Sequence, residues 1–308
     1  MIRTFGLTKR YRNQLALENL NMQVKQGEIF GYIGPNGAGK TTTLKILATL
    51  LTPTSGRAEV CGFDVVREAR HIRPLIGYMP DFFGVYEDMT VEEYLTFFAA
   101  AYGLKGEKRT RIVSDILELT DLGSKRDAMV EALSRGMQQR LGLARTLVHD
   151  PKVLILDEPS SGLDPRARIE IRALLKEVKK MGKTIIISSH ILSELEEMCD
   201  SVGIIEKGNL IFCGTQEELR LKAATGGVIE VAVADRNGEA ADLLRAHPGV
   251  ADVTTDDDHL HVVLKADAPD YSFIPEYLIQ GGFRVTKLNK EHVRLEDIFM
   301  KVTKGIVS

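Results

Sequence analysis

Gly34-Pro-Asn-Gly-Ala-Gly39-Lys40-Thr41 sets glycines, a lysine and a hydroxyl in the spacing GxxxxGK[ST]. That combination suits a polyphosphate. The glycines let the backbone wrap closely enough for its N–H groups to point at phosphate oxygens, and a helix opening there adds a partial positive charge of roughly +0.5. Lys40 would pair with the β- and γ-phosphates and Thr41 would offer its hydroxyl to Mg²⁺, while Gly34, Pro35, Asn36, Gly37, Ala38, Gly39 and Thr42 line the same turn. A flexible loop can match such a string by accident, so the context decides. An apolar stretch at 28–33 feeds the turn, and Leu44, Leu47, Ala48 and Leu51 follow at helical spacing.

A second group of candidates follows the apolar run 153–156, which delivers the adjacent carboxylates Asp157 and Glu158 at its C-terminal end. Parallel α/β sheets place ligands there. Asp157 suits Mg²⁺ held through its water shell, and Glu158 is placed to orient or deprotonate an attacking water. Seen alone, two acids after a strand are a solvated turn; beside a phosphate loop in the same chain they become candidates for catalysis.

Elements of α/β type must position these groups. The spacing predicts a helix over 166–181 and a strand over 184–188 whose continuous apolar run suits a parallel sheet covered on both faces. Between about 82 and 149 the pattern is helical (91–102, 110–119, 137–149), which points to a helical insertion. After about residue 221 the pattern changes. Ala223-Ala-Thr-Gly-Gly227 interrupts the chain, and strands expected at 228–233, 259–264 and 283–288 alternate with helical stretches, giving a small α+β domain at 225–308 behind a domain of 1–222.

Composition narrows the classes. A length of 308 residues admits one large and one small domain. A hydrophobic fraction of 44%, a charged fraction of 27% and a net charge of −3 lack the basic excess of a nucleic-acid binder. Cys61, Cys199 and Cys213 lie far apart without CxxC spacing, so neither a zinc site nor a disulfide framework is indicated. No apolar run reaches the roughly 18–20 residues of a membrane span and residues 1–12 lack a signal-peptide stretch, so any membrane role is expected to come through a partner.

Upstream of the acidic strand, Leu133-Ser-Arg-Gly-Met137-Gln-Gln-Arg140 opens a helix, and this stretch resembles the signature of the ABC ATPases. Over residues 1 to about 222 the chain is similar to that family in order as well: Tyr11 ahead of the phosphate loop, Ser161-Gly-Leu-Asp164 after the acidic pair, and His190 after the next strand. The resemblance implies a P-loop hydrolase core with an antiparallel β subdomain, hydrolysing ATP with Mg²⁺. It also implies two ATP molecules held between two nucleotide-binding subunits, in a homodimer or heterodimer. Ser134 and Gly136 would then act in trans on the partner's γ-phosphate, Tyr11 would stack on adenine, Asp164 would join the subunits, and His190 would contact the γ-phosphate and the attacking water. Asp157-Glu-Pro-Ser-Ser-Gly-Leu-Asp-Pro165 with Ser189-His190 is most similar to exporters with separate membrane subunits, implying a transmembrane permease partner and a place on the cytoplasmic face of the membrane. An importer ATPase and a soluble non-transport ABC ATPase are the alternatives, and the transported substrate is set by the membrane subunit.

Three positions depart from the family pattern. Asp81 stands where the family has glutamine and is a further candidate for the metal. Arg135 replaces a glycine, either adding a cation near the nucleotide or sitting solvated, the latter being the expectation. Met137 replaces a glutamine. The aromatics Phe82, Phe83 and Tyr86 at the start of the helical insertion mark a candidate groove for a membrane-subunit helix, or pack inside the insertion.

Overall fold

A computed structural model describes residues 1–12, 14–82, 84, 88–191, 195–223, 228–256, 259–265 and 270–290. The chain divides into two compact units, Met1–Gln216 and Glu217–Ser308.

In the first unit, four strands are buried at every position: β4 (Ile29–Ile33), β8 (Val153–Leu156), β9 (Thr184–Ser189) and β10 (Ser201–Glu206). Continuous apolar runs of this kind need cover on both faces, which a parallel sheet with helical crossovers supplies. They form the centre of a six-stranded sheet with β7 (Ile76–Met79) at one edge and β11 (Asn209–Thr215) at the other, in the order β11-β10-β4-β9-β8-β7. Every pairing is parallel except β10–β11, a hairpin turned by Lys207 and Gly208, both at positive φ (46° and 84°), as a two-residue primed turn requires. That hairpin was not expected from the sequence.

A second, antiparallel sheet is built from β1 (Ile2–Tyr11), β2 (Gln14–Leu20), β3 (Gln23–Val24), β5 (Ser55–Val60) and β6 (Phe63–Asp64). Its inner face, with Ile2, Leu7, Leu17, Leu20 and Val60, shares one buried cluster with Phe30 and Tyr32 of β4 and with Leu44, Ile46 and Leu47 of α1 (Lys40–Leu47). This packing seats α1, and so the turn before it, between the two sheets.

The helical stretch holds α3 (Val91–Ala101), α4 (Gly106–Leu119) and α5 (Arg135–Leu147), after the short α2 (Ala69–Ile72). Thr90 and Glu93 close a reciprocal capping box on α3. Helix α4 begins four residues ahead of expectation because its first turn, with Glu107, is polar and carries no apolar period. Ser134 caps α5, which therefore starts two residues early. His149, just beyond α5, fastens this region to the sheet: its ring stacks on Tyr102 at 3.8 Å and Nε2 lies 2.8 Å from the Ile76 carbonyl oxygen. A carbonyl only accepts, so Nε2 carries the proton and Nδ1 is a buried lone pair without a partner among the described residues. Burial holds the His149 pKa below the ordinary value. The unfolded chain therefore takes up this proton first, and stability is lost as pH falls below about 6.5 toward the folded pKa. Thermal melts between pH 7.5 and pH 5 should show this acid loss. His149→Asn should melt lower at pH 7.5 but lose less on acidification; an unchanged acid slope would remove His149 from the account.

After α6 (Pro165–Lys180) and α7 (Gln216–Ala223), the second unit runs β12 (Val228–Val233), α8 (Asn237–Arg245), β13 (Val250–Asp256), β14 (His259–Leu264), α9 (Phe273–Gln280) and β15 (Val285–Lys290). Its antiparallel sheet has the order β13-β14-β12-β15. Order and connectivity are those of a split βαβ, ferredoxin-like unit. Ala240, Ala241 and Leu244 of α8 with Ile274 and Leu278 of α9 cover one face of the sheet.

Candidate functional site

The phosphate-type loop lies between β4 and α1, and two of its glycines are dictated by geometry. Gly39 sits at φ 112°, and a Cβ there would come 2.6 Å from the Ala16 carbonyl oxygen and 2.7 Å from Leu17 Cδ2. A Cβ on Gly34 would come 2.2 Å from the carbonyl oxygen of Ile205 on β10. At the end of this loop, Lys40 is 6% exposed. Its Nζ donates to Gly34 O at 2.5 Å and to Pro35 O at 3.4 Å, and lies 3.3 Å from Glu158 Oε1.

Glu158 is held from three sides. Its backbone occupies the left-handed region (φ 49°), a strained conformation for a non-glycine residue of the kind that gathers at functional sites. Its N–H donates to Ser188 Oγ at 2.9 Å, and the same hydroxyl donates to Asp157 Oδ1 at 2.7 Å. The register Leu156↔Ile187 between β8 and β9 puts Ser188 level with Asp157, so one buried serine positions both acids. Glu158 Oε2 accepts from His190 Nδ1 at 2.8 Å, which assigns the proton to Nδ1. Oε1 takes no hydrogen bond among the described residues; Lys40 faces it within ion-pair distance but outside hydrogen-bond geometry.

A cleft of about 320 Å³ is lined by Tyr11, Gln14, Ala16, Pro35, Asn36, Gly37, Gly39, Lys40, Thr41, Thr42, Asp81 and Glu158. Tyr11 is 43% exposed, leaving a ring face for a planar base. A larger cleft, about 580 Å³, opens beside Met1, Arg3, Lys152 and Lys183. Lys152 and Lys183 precede β8 and β9, so that cleft is at the amino ends of the strands, whereas parallel sheets bind ligands at the carboxyl ends, where Asp157 and His190 emerge.

The carboxylates crowd one another. Burial, then the charges of Asp157 and Glu158, push the Asp81 carboxyl above the usual aspartate range, against the pull of Arg135 and His190. Burial with Asp157 and Asp81 pushes Tyr78 up to about 12, and its hydroxyl is buried without a partner among the described residues. Such crowding suits a dication. No group of three or more His, Cys, Asp or Glu among the described residues forms a metal cage.

Ser134, Gly136 and Asp164 do not line this cleft. Ser134 caps α5, its Oγ accepting from Met137 N–H at 3.4 Å, which leaves the hydroxyl proton free to donate. Asp164 caps α6, accepting from Ala167 N–H at 2.9 Å. Gly136 lies where α5 and α6 approach: a Cβ there would be 3.1 Å from Ala167 Cβ. Arg135 is exposed, and its Nη2 also donates to Ser161 O at 3.1 Å, a contact the sequence did not suggest. Phe82 is 87% exposed, while Phe83 and Tyr86 lie outside the described residues. Ser188 and Tyr78 were missed by sequence reasoning; the only signal for Ser188 was its place, one residue before Ser189-His190, on the strand beside Asp157.

The family described as ABC transporter matches residues 17–161. The bacitracin transport ATP-binding protein BcrA of Bacillus licheniformis is 36% identical over 309 residues, covering 99% of this chain and 98% of that protein. A Nod factor export ATP-binding protein I of Burkholderia orbicola is 43% identical over 226 residues, 73% of this chain and 74% of that one. Among solved structures, an ATP-binding subunit of an ABC transporter superposes with a TM-score of 0.65 at 32% identity, covering 72% of this chain and 92% of that chain. A dimeric ATP-binding cassette in a post-hydrolysis state with ADP and Pi gives 0.63 at 26% identity, covering 70% and 98%. Identity above 30% along nearly the whole of a relative, together with the cassette fold of the solved structures, shows the family: the chain belongs to the ABC transporter ATP-binding proteins.

Proposed function

We propose that this ATPase is the motor of an exporter, working at the cytoplasmic face of a membrane through a separate transmembrane subunit, and that its hydrolytic site is the cleft above the carboxyl ends of β4, β8 and β9. The observation that carries this reading is the Lys40–Glu158–His190 arrangement at the mouth of the phosphate loop. No helix among the described residues is long and apolar enough to cross a membrane, so transport needs a partner chain.

The adenine stacks on Tyr11, and the loop N–H groups with Lys40 hold the phosphates. Thr41 and Asp157 would hold Mg²⁺, with Asp81 as a further oxygen, and the ion would offset the charge of the β- and γ-phosphates. Glu158 accepts a proton from, or orients, the attacking water, and His190 steadies the Glu158 carboxylate and reaches toward the γ-phosphate. A second copy, or a related subunit, supplies Ser134 and Gly136 at the N-terminus of its α5, a helix with no acidic residue in its first turn to cancel the dipole. Asp164 lies at the joint between subunits. Residues 225–308 act as an accessory domain, since every phosphate-contacting motif lies before residue 222.

Affinity purification of the full chain from membranes should recover a polytopic membrane protein, and ATP turnover of that complex should respond to the transported compound. Recovery of the chain with ribosomes or DNA, and with no membrane protein, would contradict the exporter reading.

A further inference from the structure

Arg135 is the first residue of α5 and stands one position past the Ser134 cap. Its guanidinium donates to the Ser161 carbonyl and lies directly over Gly162. A Cβ on Gly162 would fall 2.3 Å from Cζ and Nη2 and 2.5 Å from Nη1, and Gly162 is itself at φ 66°. The positive φ favours glycine, and a Cβ there would push the guanidinium away. The contact continues along the two helices. Gly136 faces Ala167 closely, Arg168 Nε on α6 donates back to the Leu163 carbonyl at 3.0 Å, and Arg140 pairs with Glu170 of α6 and with Asp121 after α4. Arg135, the first residue of α5, therefore fastens the signature helix to the loop 161–164, while Arg140, its sixth, fastens the same helix to α6 beyond that loop.

We propose that Arg135 is a positioning residue that locks the loop 161–164 to the signature helix within one chain, so that Ser134, Gly136 and Asp164 meet the partner subunit's nucleotide as one preformed surface. This rests on the two-subunit reading above. The planar fork of arginine grips a carbonyl and covers a glycine at once, which neither lysine nor the family's glycine at this position does. An exposed side chain contributes little to the stability of the separate subunit. Its effect falls on association, where a loop already held in its bound arrangement avoids the ordering cost.

The test uses the full chain in a Glu158→Gln background and reads ATP-driven dimerisation by light scattering, alongside the ATP affinity of the monomer and the melting temperature. Arg135→Ala should weaken ATP-driven dimerisation about tenfold, the effect of losing one charge-assisted hydrogen bond, with monomer ATP affinity and melting temperature unchanged. Gly162→Ala, which displaces the guanidinium, should weaken it at least as much. In the Gly162→Ala background, Arg135→Ala should then cost nothing further, because the contact is already gone. Parental dimerisation in Arg135→Ala, or a full additional tenfold loss in the double variant, overturns the lock while leaving the two-subunit reading intact. Failure of the Glu158→Gln parent itself to dimerise with ATP overturns both.

Discussion

Glu158→Gln should reduce ATP turnover by roughly 10²–10⁴-fold, the range for removing a positioned general base, and leave ATP binding in place. Glutamine keeps the shape of the side chain and its amide oxygen can still accept from His190, so the strained turn at φ 49° and the Ser188 bond to the 158 N–H need not change. What disappears is the free oxygen: Oε1 takes no hydrogen bond among the described residues, and a protonated or amide group there cannot take a proton from water. Single-turnover ATPase assays with equilibrium binding of a fluorescent ATP analogue separate the two quantities. Wild-type turnover in the variant would remove Glu158 from the chemistry; lost binding would make it a structural residue.

Lys40→Ala should act on the other quantity, weakening ATP binding by about 10–100-fold, as expected for losing a buried charge-assisted contact to phosphate. The lysine is almost fully enclosed and already aimed into the loop by the Gly34 and Pro35 carbonyls, so its ammonium is positioned before any ligand arrives. Alanine would also leave Glu158 Oε1 facing no countercharge beside Asp157 and Asp81. Titration calorimetry with ATP and Mg²⁺ reads the loss, and an unchanged affinity would show that the backbone of the loop alone carries the phosphates.

Much of this site was legible because its residues are close in sequence to the elements that aim them. The loop 34–41 is flanked by the strand and helix that define it, and Asp157–Glu158 directly follow the strand that delivers them. The helical stretch and the strands at 228–233 and 259–264 announced themselves by period. What stayed hidden depends on register or on contacts distant in the chain. Ser188 reaches Asp157 across 31 positions, through a strand pairing that periodicity cannot align. Arg135 is a solvated cation, as its sequence suggests, but its contact with Ser161 and Gly162, 26 and 27 positions onward, could not be read from the sequence. Strand β13 escaped because only Val250 and Val253 of its seven residues point inward, too few to show alternation. The β10–β11 hairpin was hidden for a different reason: Lys207-Gly208 is a weaker turn signal than Asn-Gly.

The central claim is that one cleft binds ATP and a second subunit completes it. Its most direct test is the mass of the Glu158→Gln chain in solution, measured by light scattering with ATP and with ADP at matched protein concentration. The account predicts a dimer with ATP that returns to monomer with ADP, because Ser134 and Gly136 do not line the chain's own cleft and are proposed to hold the γ-phosphate across the interface. A chain that binds ATP but stays monomeric at high protein and nucleotide concentration would contradict it.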